Sequence, residues 1–126
     1  MNIPENLLYS TDHEWVRIED TRAVIGITDY AQDALGDVVF VDMPNLGGVV
    51  ASGQSITEVE STKSVSDIYA PISGEVVEVN QELVDSPELL NEDPYGEGWI
   101  CVIQISNSDA LSQLLTPEQY GELIAS

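Results

Sequence analysis

A single lysine stands at the position in this chain that most clearly suggests chemistry. Lys63 is the only lysine among 126 residues, and it lies between two runs of β-type residues, 55–60 and 64–69. So short a connection predicts a tight hairpin with the amine at its tip. Two-residue hairpins favour glycine or asparagine because their turns need positive φ, and Thr62-Lys63 offers neither. Turn propensity therefore does not account for this tip.

Two interpretations of Lys63 follow from the residues alone. In the first, the exposed lysine only solvates the turn. In the second, it is an accessible amine for covalent modification. A Schiff-base lysine is disfavoured, because that role needs desolvation to lower the pKa of the amine and a hairpin tip is exposed.

The other candidate residues do not assemble a catalytic or metal site. His13 is the only histidine and Cys101 the only cysteine, so neither a zinc cluster nor an internal disulfide is predicted. His13 is interpreted as a surface hydrogen-bonding residue and Cys101, in an apolar run, as a buried inert thiol. Trp15, Trp99 and Phe40 are predicted to lie in the core. The sequence shows no combination of nucleophile, general base and orienting residue, so no catalytic residues are assigned.

The elements that must position Lys63 are predicted to be mainly β-strands, in a pattern typical of a sandwich or barrel. Thr28 is predicted to cap a short helix near residues 28–35 that ends at Gly36. Of two short C-terminal helices, one is predicted to begin at Asn107 or Ser108 and the other at Thr116, where a capping box opens it. The predicted strands are residues 14–19, 23–27, 37–43, 55–60, 64–69, 75–80 and 99–105.

Length and charge narrow the range of possible functions further. The chain is long enough for one domain, and 3 Lys+Arg against 23 Asp+Glu give a net charge of −20. Such a charge repels phosphate backbones and anionic headgroups, so neither nucleic acid nor a membrane is an expected partner. No apolar run approaches the ~20 residues needed to span a bilayer, and no signal peptide is evident, so we expect a soluble intracellular protein.

One family matches these motifs in order along the chain. Residues 58–76, EVESTKSVSDIYAPISGEV, resemble the lipoylation motif of the glycine cleavage system H proteins. Residues 12–16 (DHEWV), 25–32 (IGITDYAQ), 35–41 (LGDVVFV) and 93–99 (DPYGEGW) are similar to further motifs of that family. Biotin carriers have a Met-Lys-Met tip, whereas Lys63 is flanked by Thr62 and Ser64. Lipoyl domains of 2-oxo acid dehydrogenases are shorter and usually read Asp-Lys-Ala.

The resemblance implies a fold and a carrier function. The expected fold is a mainly β barrel–sandwich hybrid, a single lipoyl-carrier domain over residues 1–126, with lipoate amide-linked to Lys63. In the family, a pyridoxal-phosphate glycine decarboxylase (P protein) loads an aminomethyl group onto the arm. A tetrahydrofolate-dependent aminomethyltransferase (T protein) removes that group, and dihydrolipoyl dehydrogenase (L protein) reoxidises the dithiol. Lipoate-attaching enzymes are further expected partners, and the protein itself is expected not to be an enzyme.

Two acids match the family pattern for a cleft that receives the loaded arm. Glu14 and Asp67 are the candidates to hold its amine, and each can equally be a solvated acid at a strand end. If the hairpin register places Glu58 opposite Asp67, two like charges face each other at some cost, which a visiting cation would relieve.

An alternative from a different class is an acidic adaptor or regulatory lipoyl-like domain that binds partners and carries nothing. It predicts a free amine at Lys63. The expected location is a bacterial cytoplasm, or a mitochondrial matrix if a presequence was removed.

Overall fold

Two antiparallel sheets form the framework of the protein. The computed structural model describes residues 2–106 and 108–125. One sheet has six strands in the order β1-β2-β3-β9-β8-β5, and the other has three in the order β4-β6-β7. The strands are β1 Leu8–Tyr9, β2 Glu14–Glu19, β3 Arg22–Ile27, β4 Val38–Asp42, β5 Val49–Val50, β6 Ser55–Ser61, β7 Val65–Tyr69, β8 Gly74–Val79 and β9 Cys101–Ile105.

Short helices close the sides of the framework. They are α1 Asp29–Leu35, α2 Glu82–Asp85, α3 Leu89–Glu92, a 3₁₀ helix Ser108–Gln113 and α4 Pro117–Ala125. Thr28 caps α1 as predicted, because its hydroxyl accepts from the Ala31 amide, and Gly36 ends it with φ of 82°. Thr116 and Gln119 exchange hydrogen bonds of 3.0 and 3.2 Å at the start of α4, which confirms the capping box. Of the two caps predicted for the preceding helix, Asn107 lies outside the described residues and Ser108 is the first residue of the 3₁₀ helix.

Alternation along the strands gives the six-stranded sheet two buried faces. Val16, Ile25 and Ile103 belong to the main core, which also takes Val59 and Ile68 from the three-stranded sheet. The residues between them on the strands point to the opposite face, because successive side chains alternate. There they form a second cluster under α4, with members Leu7, Tyr9, Trp15, Val24, Val102 and Tyr120. The mainly β barrel–sandwich class is confirmed, and α4 packs on the outer face of the six-stranded sheet.

One core prediction is wrong. Phe40 is 49% exposed, because a bulge interrupts the pairing of β4 with β6 between Val38 and Phe40. The bulge breaks the alternation, so Val39 and Phe40 are both exposed between buried Val38 and Val41. Trp15 is fully buried as predicted, and Trp99 is half-buried against the second cluster.

The elements that the sequence pattern missed are all short. Strands β1 and β5 have two residues each, and helices α2 and α3 have four. Periodicity needs more residues than these to be recognised. Within the described part of the chain, no helix has the length and apolar character required to cross a bilayer.

The packing of Trp15 generates a stability prediction. A Cβ added at Gly26, which is paired with Trp15 across β2 and β3, would come within 2.6 Å of the indole ring. Gly26→Ala should displace that ring, strain its 2.8 Å hydrogen bond from Nε1 to the Pro94 carbonyl, and lower the free energy of unfolding by about 1–3 kcal/mol. Urea unfolding at equilibrium measures this change.

The matched control is a second glycine-to-alanine substitution. Gly121 lies within α4, and a Cβ there meets only Ile3 Cδ1, at 3.6 Å. Gly121→Ala should therefore stabilise the protein, by about 0.5–1 kcal/mol, because alanine favours a helix interior. Equal effects of the two substitutions would contradict the packing described for Trp15.

Candidate functional site

The hairpin that carries Lys63 is closed by a serine side chain in place of a glycine turn. The Ser61 amide donates to the Ser64 carbonyl at 2.8 Å. The Ser61 hydroxyl accepts from the amides of Lys63 and Ser64, both at 3.1 Å, and donates to the Ser64 carbonyl at 3.2 Å. Because this hydroxyl satisfies the tip amides, the turn needs no left-handed residue, and the absence of glycine that the sequence left unexplained has a local cause.

The tip rests on the connection between α1 and β4. The Thr62 amide donates to the Asp37 carbonyl at 3.0 Å. That connection is fixed in turn by Asn91 from α3, whose Nδ2 donates to the Gly36 carbonyl at 2.8 Å and whose Oδ1 accepts from the Val38 amide at 2.8 Å. The backbone next to Lys63 is therefore attached to the connection between α1 and β4, which is itself held in place by Asn91.

Gly36 leaves room for the stem of Lys63. A Cβ built at Gly36 would stand 3.0 Å from Lys63 Cε and 3.3 Å from Cδ, so the lysine stem crosses the glycine backbone. Gly36 also has φ of 82° and ψ of −162°, a conformation essentially restricted to glycine. One residue thus both ends α1 and provides the surface over which the lysine side chain passes.

The Lys63 amine is available for covalent attachment. Lys63 is exposed, and among the residues that the structure describes it forms no salt bridge. Acylation of an amine removes its charge, and here no ion pair would be lost. The sequence prediction of a reachable amine at a hairpin tip agrees with this geometry.

A groove of about 240 Å³ runs beside the hairpin, and we call it the hairpin groove. Ser64, Ser66, Asp67 and Ile68 form its hairpin side, while its other residues come from α1 and from the turn before β2. Asp12 and His13 come from the turn, and Tyr30, Ala31 and Leu35 come from α1. The groove therefore combines apolar and aromatic contacts with carboxylates at its edges.

Glu14 occupies a separate concavity, which we call the Glu14 cavity. It has a volume of about 180 Å³ and is lined also by Ser10, Asp12, Ala70 and Leu114. Glu14 is 1% exposed because it is the first residue of β2 and alternates with Val16, so it points toward the space between the sheets. The Ser10 hydroxyl donates to Glu14 Oε1 at 2.7 Å.

The buried carboxyl of Glu14 titrates near neutrality. Desolvation raises its pKa from 4.5 to about 7, although the hydrogen bonds from Ser10 and the Tyr69 backbone oppose that rise. At neutral pH the group is divided between its two protonation states. A cation that entered the cavity would favour the ionised form.

The structure places the two predicted acids differently. Glu14 is buried in its cavity, whereas Asp67 is exposed on β7 and lines the hairpin groove. Asp12 lines both concavities and so links them along the surface. Sequence reasoning missed Asp12 and Ser10, which lie in the turn before β2 and carry no periodic signal.

The hairpin adopts the register in which like charges face each other. Glu58 lies opposite Asp67, and on the other side Glu58 pairs with Asp42. Three carboxylates therefore form a row across β4, β6 and β7. Such neighbours repel one another, so this face of the three-stranded sheet favours cationic groups.

Cys101 and a concavity on the six-stranded sheet add no reactive group. Cys101 is fully buried, and desolvation raises the pKa of its thiol to about 12. The concavity, of about 470 Å³, lies on the six-stranded sheet and holds both arginines. Arg17 pairs with Glu19 at 2.7 Å and Arg22 lies 3.8 Å from Glu78, so each guanidinium already has a carboxylate beside it.

The raised pKa of Glu14 predicts a pH dependence of stability. Because the folded state binds this proton more tightly than the unfolded chain does, the contribution of Glu14 lowers the free energy of unfolding as pH rises from 4.5 to about 7. The total amounts to at most about 3 kcal/mol. Glu14→Gln should remove this contribution, which urea unfolding at a series of pH values measures.

The difference in unfolding free energy between wild type and Glu14→Gln at each pH isolates the contribution of Glu14, because His13 titrates in both proteins. Asp67→Asn is the control, since it removes a carboxylate that is exposed. Parallel pH profiles for wild type and Glu14→Gln would contradict the assignment of a buried, proton-binding carboxyl.

Comparison with known proteins gives consistent matches over the chain. A family model described as "Glycine cleavage H-protein" matches residues 7–126. A glycine cleavage system H protein of Carboxydothermus hydrogenoformans is 50% identical over 122 residues, covering 97% of this chain and 94% of that protein. One from Alkalilimnicola ehrlichii is 55% identical over 124 residues, covering 98% and 95% respectively.

A solved structure is similar to the whole fold. The crystal structure of a glycine cleavage system H protein from Mycobacterium marinum superposes with a TM-score of 0.91 at 43% sequence identity. The match covers 98% of this chain and 100% of that one.

Proposed function

Because the chain belongs to the glycine cleavage H-protein family, we propose that it is a lipoyl carrier with lipoate in amide linkage to Lys63. The observation that carries the proposal is an exposed lysine on a hairpin tip whose backbone is fixed by hydrogen bonds, with no salt bridge to that lysine among the described residues. Residues 1–126 act as one carrier domain in this proposal, and the chain does not itself catalyse the transfer steps.

The residues around Lys63 fit an acylated lysine. The amine is accessible to a modifying enzyme, and Gly36 keeps the path of the stem clear of a Cβ. When attached, the group supplies a dithiolane, whose reduced sulfur accepts and releases a carbon fragment. The protein fixes the attachment point, and the freedom of the linker then raises the effective concentration of cargo at each docked enzyme.

We further propose that the cargo is the aminomethyl group of glycine and that Glu14 and Asp67 hold its ammonium. A cation on an arm attached at Lys63 first meets Asp67, which lines the hairpin groove, and Asp12 continues the acidic path to the Glu14 cavity. Because Glu14 is buried, a charge-assisted hydrogen bond there is worth more than one at the surface. The cavity also limits access of water to the bound group.

The proposed partners act in turn on the same arm. They are the glycine decarboxylase that loads it, the aminomethyltransferase that unloads it, the dihydrolipoyl dehydrogenase that reoxidises it and the enzymes that attach lipoate. The row of Asp42, Glu58 and Asp67 beside the hairpin supports encounters with basic surfaces on these enzymes. A bacterial cytoplasm is the proposed location.

Mass spectrometry of protein from a lipoate-supplied native host tests the carrier proposal. We expect one lipoyl group on Lys63 in the wild type and none in Lys63→Arg, because a guanidinium keeps the charge but cannot form the amide. The variant should also lose all activity in a reconstituted glycine cleavage assay while keeping the wild-type unfolding midpoint.

The control is a lysine placed elsewhere. Arg22→Lys, combined with Lys63→Arg, gives the chain one exposed lysine at the start of β3 in the six-stranded sheet. It should remain unmodified if the hairpin directs attachment. A bare Lys63 in the wild type would overturn the carrier proposal in favour of an acidic adaptor that binds partners without cargo.

A second measurement tests the proposed cation site. After loading, Glu14→Gln should release formaldehyde at least about tenfold faster than wild type, because a charge-assisted hydrogen bond contributes roughly 1.5–3 kcal/mol. Asp67→Asn should have a smaller effect, since Asp67 is exposed. Asp20→Asn removes one charge in a remote turn, where φ of 59° suits asparagine, and serves as the control. Equal release from Glu14→Gln and Asp20→Asn would contradict a cation site at Glu14.

A further inference from the structure

A buried hydroxyl on the C-terminal helix reaches the wall of the hairpin groove. Tyr120 of α4 is fully buried, and its hydroxyl lies 2.9 Å from His13 Nδ1 and 2.7 Å from Thr28 Oγ1. Thr28 is the N-cap of α1, and His13 belongs to the turn before β2. One phenol therefore joins three elements that are distant in sequence, and two of them line the groove.

The hydrogen-bond donors along this chain of groups can be assigned. Thr28 Oγ1 accepts from the Ala31 amide at 3.2 Å, and Thr28 is fully buried. The Tyr120 oxygen is the only other hydrogen-bond partner of that hydroxyl among residues 2–106 and 108–125. The Thr28 hydroxyl therefore donates to Tyr120, and Tyr120 uses its own proton to donate to His13 Nδ1.

This direction sets the state of the imidazole. Burial lowers the pKa of His13, against a smaller opposing effect of Asp12, so the ring is neutral near pH 7. A neutral ring that accepts at Nδ1 carries its proton on Nε2. Within the described part of the chain Nε2 makes no hydrogen bond, and the ring lines the groove against Tyr30, with 4.7 Å between ring centroids.

We propose that Tyr120 is a positioning residue for the hairpin groove, holding His13 as the Nε2–H tautomer so that this N–H is the donor presented to an arm in the groove. The part that concerns the arm rests on the proposed carrier function. The hairpin groove has acceptor carboxylates from Asp12 and Asp67 and hydroxyls from Tyr30, Ser64 and Ser66. To these His13 adds an N–H that only donates, suited to a carbonyl or sulfur acceptor on the arm. The C-terminal helix thereby affects binding at a groove to which Tyr120 does not itself belong.

The molecule contains a matched control for this role. Tyr9 is also fully buried and stacks on Tyr120, with ring centroids 4.6 Å apart and planes within 9°. Its hydroxyl donates to the Pro4 carbonyl at 2.6 Å, away from His13. Tyr120→Phe and Tyr9→Phe each remove one buried hydroxyl from the same stacked pair, and Tyr120→Phe costs more stability because it also removes the acceptor of the Thr28 hydroxyl. Only Tyr120→Phe frees His13.

The first readout needs no cofactor or enzyme. The chain has one histidine, so ¹⁵N labelling of histidine gives one ring to observe by NMR. We expect a proton on Nε2 and an unprotonated, hydrogen-bonded Nδ1 in the wild type and in Tyr9→Phe. Tyr120→Phe should lose the hydrogen bond and populate both tautomers. A wild-type ring protonated on Nδ1, or a Tyr120→Phe spectrum identical to that of Tyr9→Phe, would overturn the proposal.

The second readout follows the loaded arm in the lipoylated protein. Loss of the cargo to water, –S–CH₂–NH₃⁺ + H₂O → –SH + CH₂O + NH₄⁺, balances in atoms and charge and is followed as formaldehyde. Tyr120→Phe should lose cargo about threefold to tenfold faster than Tyr9→Phe, the range expected for one hydrogen bond. Equal rates in the two variants would overturn the role in arm binding.

A third variant separates positioning from stability. His13→Gln places an amide N–H near the position of Nε2 without depending on Tyr120 for its protonation state. In that background, adding Tyr120→Phe should accelerate cargo loss no more than adding Tyr9→Phe does. A wild type that takes up no lipoate would defeat the carrier proposal alone, because the NMR readout tests the His13 tautomer independently.

Discussion

The hydrogen bond from the Thr62 amide to the Asp37 carbonyl joins the Lys63 hairpin to the rest of the protein. Strand β4 already pairs with β6 as far as Val38 opposite Ser61, and the hydrogen bond from Thr62 extends this attachment to the tip itself. The contact links the position of Lys63 to the connection between α1 and β4, which the Asn91 side chain fixes through Gly36 and Val38. The groove, the path of the lysine stem and the accessibility of the amine all depend on this attachment.

The second constraint is electrostatic. With a net charge of −20 and two arginines paired near the opposite sheet, the surface around Lys63 has no cation of its own beyond the lysine, within the described residues. Acylation would leave this region wholly acidic. The row of Asp42, Glu58 and Asp67 and the buried carboxyl of Glu14 then differ in how strongly they attract a cation. Solvent screens the exposed row, whereas burial keeps solvent away from Glu14. An ammonium that moves from the row to the cavity gains in electrostatic interaction.

The two faces of the six-stranded sheet have separate roles. The inner face packs on the three-stranded sheet and supports the hairpin. The outer face packs under α4, and Tyr120 reaches from that cluster to His13 and Thr28. A helix without contact to the lysine thus shapes the wall beside it, because a buried hydroxyl must be satisfied and its partners lie at the groove.

The sequence by itself determined the mainly β class, the caps of α1 and α4 and the hairpin position of Lys63. These depend on local propensities and on the period-2 pattern, which can be read from neighbouring residues. Tertiary structure alone decided the exposure of Phe40, the burial of Glu14 and the environment of His13. Each depends on residues distant along the chain: the bulge in β4, the opposing sheet, and Tyr120, which is 107 positions from His13. Burial sets the pKa of a carboxyl, and burial is a property of packing that no local pattern records.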